Sequence, residues 1–148
     1  MLARAKARFP ALPLERVGLQ ELAFDAEFDA VMCIDAMENI PPEDWPRVAA
    51  NLGRAVRPGG PVYLTVEQVD DRELDRELAD ATARGLPVVR GEASRDSYHF
   101  YPSRTQVGGW LERAGLVVVA EDHSQGDGYG YLHLLLTAAG RGPAQGSG

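Results

Sequence analysis

A single cysteine, Cys33, stands among the 148 residues, so no disulfide within the chain can staple the fold and stability must come from burial. No apolar run approaches the roughly 18 residues that a membrane span needs, and no basic-then-apolar leader pattern is present. Basic side chains are outnumbered: 15 Lys and Arg against 22 Asp and Glu give a formal net charge of -7. That balance opposes a phosphate backbone and argues against nucleic-acid binding by electrostatics. His123 and His133 lack ligand spacing, so no metal is assigned. The sequence has neither a G-x-S-x-G nucleophile elbow nor a G-x-G-x-x-G fingerprint opening a helix, which weakens hydrolase and dinucleotide oxidoreductase readings. With 45% hydrophobic and 25% charged residues, the chain has the composition of one globular domain. A cytoplasmic location is expected.

Periodicity divides the chain into elements. Leu2, Ala5 and Phe9 fall at helical spacing and Pro10 closes the pattern. Phe28 to Ile34, FDAVMCI, is a nearly continuous apolar run, the pattern of a strand covered on both faces. Pro41 and Pro42 open a helix carrying Trp45, Val48, Ala49, Leu52 and Val56 on one face, and Pro58, Gly59 and Gly60 stop it. A second buried strand follows, PVYLTVE, Pro61 to Glu67. Asp71 to Ala83 has one apolar stripe, Leu74, Leu78 and Ala81, on a solvated helix. Gly85 to Tyr101 shows no sustained period and reads as a long loop, the usual place for a lid or a binding segment. Ser103 with Gln106 is a capping-box signature ahead of Val107, Trp110, Leu111 and Ala114, and Gly115 is the expected terminal glycine. Leu116 to Glu121 and Tyr131 to Ala138 are apolar strands joined by the loop Ser124 to Gly130. The expected fold class is α/β, with a mostly parallel sheet and an antiparallel end, in a domain over 1–139 followed by a flexible tail at 140–148.

The segment FDAVMCIDAMENIPPEDWPRVAANLGRAVRPGGPVYLTVE, Phe28 to Glu67, resembles the second half of the class I S-adenosylmethionine-dependent methyltransferase fold, in which a strand written FDxVxxxDxxxH is followed by a helix, an RPGG turn and another strand. The resemblance implies a partial Rossmann-like methyltransferase fold. It makes Phe28 to Ile34 the family's fourth strand, Arg57 to Gly60 the turn into its fifth, and Met1 to Phe9 the helix after its second. The first two strands are then absent, and with them the glycine-rich turn and the acidic strand end that hold the donor in the family. Gly18 stands where the family often has an acidic acceptor for the adenine amino group, and Asn39 where many members carry histidine.

Carried onto this sequence, the resemblance implies S-adenosyl-L-methionine as cofactor, weakly held or not held at all without the missing portion. Leu19 and Gln20 would meet the adenine edge, and Cys33, Ile34, Asp35 and Met37 would line the methionyl and sulfonium region. Glu38 and His99 are the candidate bases for an acceptor that must lose a proton. Asn39, Tyr98, Tyr101 and Tyr129 would wall the acceptor. Each has a plainer reading. Asp35 can cap the segment leading to Pro41, the aromatic group of SYHFYPS can pack over the sheet, Tyr129 and Tyr131 can belong to a turn, and Cys33 can be a buried inert thiol. Trp45 and Trp110 fit helix core faces without a ligand.

Two functions follow. The first is a methyltransferase acting on a small-molecule acceptor, present here as a truncated domain. The second is a non-catalytic methyltransferase-like interaction module, or remnant, that no longer binds the donor. Because the missing strands lie in the middle of the family's sheet, Phe28 to Ile34 is expected to need a new neighbour: Leu14 to Gly18, a second copy in a homodimer, or an upstream partner segment.

Overall fold

A computed structural model describes residues 1–93, 98–126 and 129–139. Its centre is a four-stranded sheet built from β1 (Val31–Cys33), β2 (Pro61–Gln68), β5 (Leu116–Gln125) and β6 (Gly130–Ala138), in the order β1-β2-β6-β5. β1 and β2 are parallel, and β6 is antiparallel to both β2 and β5. Three strands therefore point one way, and the β5–β6 pair forms the antiparallel end. This is the expected α/β class.

Alternation decides which face is covered. Val62, Leu64 and Val66 of β2 lie opposite Leu136, Leu134 and Leu132 of β6, and all six are buried. α2 (Trp45–Ala55) and α4 (Arg104–Arg113) close this face with Trp45, Val48, Leu52, Val107 and Leu111. Trp45 and Trp110 stack across the helix pair at 5.1 Å. The intervening residues point to the other face, where Met32 is 69% exposed and Val117 and Leu135 are exposed too. Two further helices lie apart from this core: α1 (Leu2–Arg8) buries no residue, and α3 (Asp71–Ala83) seats Leu74 and Ala81 inward. No helix among the described residues is long and apolar enough to cross a membrane.

Local signals explain the ends. The capping box forms, Ser103 Oγ accepting from the Gln106 amide and Gln106 Oε1 accepting from the Ser103 amide. Gly59 sits at φ 77°, and a Cβ on Gly60 would fall 2.8 Å from the Asp29 carbonyl oxygen, so the turn after α2 needs both glycines.

Four expectations are revised. β1 is shorter than Phe28 to Ile34, because Asp35 turns into the left-handed region at φ 51° and ends it, while Phe28 makes only an isolated bridge to Val56. Leu14 to Gly18 does not pair beside β1: these residues form no strand, and β1 is an edge of the sheet among the described residues. The Gly85 to Tyr101 loop contains a small antiparallel pair, β3 (Glu92–Ala93) and β4 (His99–Phe100), which turns Phe100 into the core. β5 runs on to Gln125, beyond Glu121, because full pairing with β6 satisfies its backbone even where its side chains are solvated. The expected tail at 140–148 lies outside the described residues.

Candidate active site

The site forms where β1 and β2 end side by side, the carboxyl edge at which open α/β sheets hold ligands. Directly after β1 the chain turns at Asp35, and two distant groups fix it. The Asp35 amide donates to Thr65 Oγ1 of β2 at 2.9 Å, and the Tyr131 hydroxyl of β6 donates to Asp35 Oδ1 at 2.6 Å. Aspartate tolerates the positive φ better than most residues because its short polar side chain adapts to it.

A single 3-10 turn, Met37–Asn39, then packs against β2 and β4. Met37 points into the core at 1% exposure and Asn39 points out. Glu38 is buried at 7% exposure; its Oε1 accepts from Asn39 Nδ2 at 2.7 Å, and its Oε2 has no partner. A buried carboxylate oxygen without a donor is costly, and such a group invites a functional explanation.

Glu67, at the end of β2 and opposite Tyr131 in register, is the third carboxylate. Burial first, and then the Glu38 charge, push its carboxyl above the usual range; His99 opposes this and Asp35 adds to it. Tyr101 feels the same field, its hydroxyl pushed up to about 12 by burial and then by Glu67 and Glu38. Its oxygen lies 3.0 Å from His99 Nδ1. The Tyr131 hydroxyl is raised chiefly by its bond to Asp35. Beyond this shelf a cleft of about 540 Å³ opens past the end of β2, lined by Gln68, Tyr101, Ser103, Arg104 and Tyr129 among others.

A family model described as a methyltransferase domain matches residues 4–121. The chain belongs to this methyltransferase family. Among solved structures the fold is similar to a SAM-dependent methyltransferase from Methanosarcina mazei, with a TM-score of 0.69 at 14% identity, covering 93% of this chain and 77% of that one. It is also similar to the Burkholderia thailandensis 1,6-didemethyltoxoflavin-N1-methyltransferase solved with bound S-adenosylhomocysteine, with a TM-score of 0.67, 14% identity and coverages of 93% and 56%. A third is the Synechocystis magnesium protoporphyrin IX methyltransferase with bound SAH, with a TM-score of 0.63, 14% identity and coverages of 94% and 60%. The chain thus spans 56–77% of the length of these three structures. Comparison with curated proteins finds no match.

Within this methyltransferase domain the residues singled out from sequence divide into groups. Asp35, Glu38, Asn39, His99 and Tyr101 come together on the shelf. Tyr129 joins through the cleft and through an edge contact with the Tyr131 ring at 5.9 Å. Tyr98 is turned aside, its hydroxyl donating to Glu92 Oε1 at 2.9 Å. Cys33 and Met37 lie in the hydrophobic core and present no side-chain surface to a ligand. Burial, then Glu38, push the Cys33 thiol up to about 11, the behaviour of an inert thiol. Ile34 is 51% exposed.

Leu19 and Gln20 form a separate 3-10 turn against α2. Asn51 Nδ2 donates to both of their carbonyls, at 2.9 and 3.2 Å, and the Gln20 amide donates to Asp44. Their hydrogen-bonding groups are thus largely engaged within the fold. Sequence reasoning missed Glu67 and Thr65. The signal for Glu67 was its place at the end of an apolar strand, the same kind of position that drew attention to Asp35.

Proposed function

We propose that this chain transfers a methyl group from S-adenosyl-L-methionine to a small-molecule acceptor at the shelf formed by Asp35, Glu38, Glu67 and His99. The observation that carries this reading is the buried, unpartnered Glu38 Oε2 at the carboxyl edge of the parallel strands. The residues present fit the reacting end of such a donor, since free carboxylate capacity at a partly dry edge complements a sulfonium cation. When bound, the donor supplies an electrophilic methyl group on sulfur.

The chain's own residues do the rest. The shelf and the cleft hold the acceptor at near-attack distance, where most of the rate gain for an in-line displacement arises. Tyr101 and Tyr129 line the cleft, and Tyr131 and Thr65 keep Asp35 in place. Glu67, with its carboxyl raised, and His99 are positioned to take a proton from the acceptor. The modest cleft and the acidic balance of the chain favour a small acceptor over a nucleic acid.

A specific observation favours the second reading, a non-catalytic module. At Leu19 and Gln20, where the resemblance would set the adenine, both carbonyls are already bonded to Asn51. Calorimetric titration of the purified chain with S-adenosylmethionine, and separately with S-adenosylhomocysteine, decides between them. Saturable binding of both is expected; no heat up to millimolar ligand would overturn the methyl-transfer reading in favour of the module.

A further inference from the structure

The sheet face turned away from α2 and α4 is open. Register sets Met32, Tyr63, Leu135 and Ala120 in one row across all four strands, with Thr65, His133 and Asp122 in the next. Met32, Val117 and Leu135 are exposed on it, and a shallow hollow of about 360 Å³ lies between Tyr63, Ala120, Glu121, Asp122, His133 and Leu135. The hydroxyls and the imidazole of this face answer one another or the nearby backbone. The Tyr63 hydroxyl lies 2.7 Å from His133 Nδ1 and the Ser124 hydroxyl 2.8 Å from His133 Nε2, so both ring nitrogens are engaged. Tyr131 and Thr65 are bonded to Asp35, and Thr137 Oγ1 donates to the Gly59 carbonyl. Covering such a face strands none of these groups, so its desolvation costs little. A surface that is apolar, exposed and internally satisfied is fitted for docking.

The same chain carries an element of the opposite charge. β1, β2, β5 and β6 contain Glu67, Glu121 and Asp122 and no Lys or Arg. α1 contains Arg4, Lys6 and Arg8, and no acidic residue precedes Glu15. Among the described residues none of these three basic groups forms an ion pair, and no Lys or Arg pairs with Asp122. α1 buries no residue, and Phe9, Leu12 and Val17 after it are exposed, so arm and sheet do not meet within one copy. We propose that the arm of a second copy covers this face, each copy giving its arm to the other about a two-fold axis. The stripe of Leu2, Ala5 and Phe9 lies on the row of Met32, Leu135 and Ala120, and the basic side chains run their apolar stems along that row to reach Asp122. Residues 9–18 form neither helix nor strand, and ten residues span up to roughly 33 Å, enough to cross between copies. Packing the two open faces directly together would set the carboxylates of one sheet against those of the other, so charge selects arm on sheet.

Sedimentation equilibrium of the full chain should show a dimer at about 100 μM. Combining Arg4→Glu, Lys6→Glu and Arg8→Glu should raise its dissociation constant about tenfold or more, as attractions turn into repulsions. Adding Asp122→Lys to that chain should recover part of the loss, a rescue that a defect in folding does not give. Should the reversed helix fray, Leu135→Lys tests the sheet side at a residue 39% exposed, with the same loss expected. Contact between copies is read by mixing 15N-labelled chain with unlabelled chain that carries a nitroxide at Ala3→Cys, Cys33 being buried and so protected from the label. Broadening of the Tyr63, His133 and Leu135 amides in the labelled copy supports the exchange. A monomer, a dimer in which those amides stay sharp, or a dimer indifferent to both the arm reversal and Leu135→Lys overturns it. So does broadening seen only when nitroxide and isotope share one chain, because the arm then folds back on its own sheet.

Discussion

Replacing Glu38 by glutamine should make this protein more stable. The substitution keeps the side-chain shape and the oxygen that accepts from Asn39, and it removes a charge from a residue only 7% exposed. In the wild type the second oxygen is buried without a donor, a deficit worth about 1–3 kcal/mol and more for an ionised group. Repulsion from Glu67 and Asp35 disappears as well. The glutamine amide remains poorly partnered unless it donates to Glu67, so the net gain is set at about 1–2 kcal/mol. For a domain near 150 residues this raises Tm by roughly 3–8 °C. Thermal and urea unfolding of both proteins at pH 7.5 measure it, and a second reading comes from Cys33, whose thiol pKa should fall because the Glu38 charge helps hold it up. A lower Tm for Glu38→Gln refutes the reasoning: the carboxylate would then be a satisfied structural group and not one held ready for a ligand. A rise in stability coupled to lost ligand binding is the usual sign of a site maintained at a cost to the fold.

Two further outcomes follow. Burial, and then the Glu38 charge, push the Cys33 thiol up to about 11 in the folded state, above the ordinary thiol range; the folded state thus binds the proton more tightly, and the associated stability is present below the ordinary thiol range and lost as the pH rises through about 11. The loss totals about 2–3 kcal/mol at most, and urea unfolding between pH 8 and 11.5 should show it in wild type and not in Cys33→Ala, once that variant's constant packing loss is subtracted. Gly60→Ala should cost about 1–3 kcal/mol, because the new Cβ would lie 2.5 Å from a Val56 methyl and 2.8–2.9 Å from two carbonyl oxygens; an unchanged urea midpoint would show that the turn relaxes freely.

Much of this architecture can be read along the chain because its signals are local. FDAVMCI and PVYLTVE announce strands by uninterrupted apolar character, the Ser103 and Gln106 pair announces the start of α4, and the glycines after Pro58 mark a turn that demands them. What stayed hidden depends on distant partners. The second half of β5 has no burial pattern of its own and is a strand only because β6 lies beside it. Tyr131 and Asp35 are 96 residues apart, and no periodicity could join them. Glu67 was passed over as the end of a strand, although its importance comes from the two carboxylates the fold brings near it. Cys33 reads from sequence as a lining residue or as a buried thiol, and only the register of β1 against β2, Cys33 beside Leu64, turns it to the core.

The three-residue length of β1 has a mechanical consequence. Among the described residues β1 is a short border strand hydrogen-bonded to one neighbour, the part of a sheet that opens first, and the acidic shelf hangs from its end. Thr65 and Tyr131, each rooted in a longer strand, act as two stitches that fasten Asp35 to stiffer cloth. Cutting either one would leave the carboxylates in the molecule but let their spacing drift, and a ligand that reads spacing would feel that loss before the fold did.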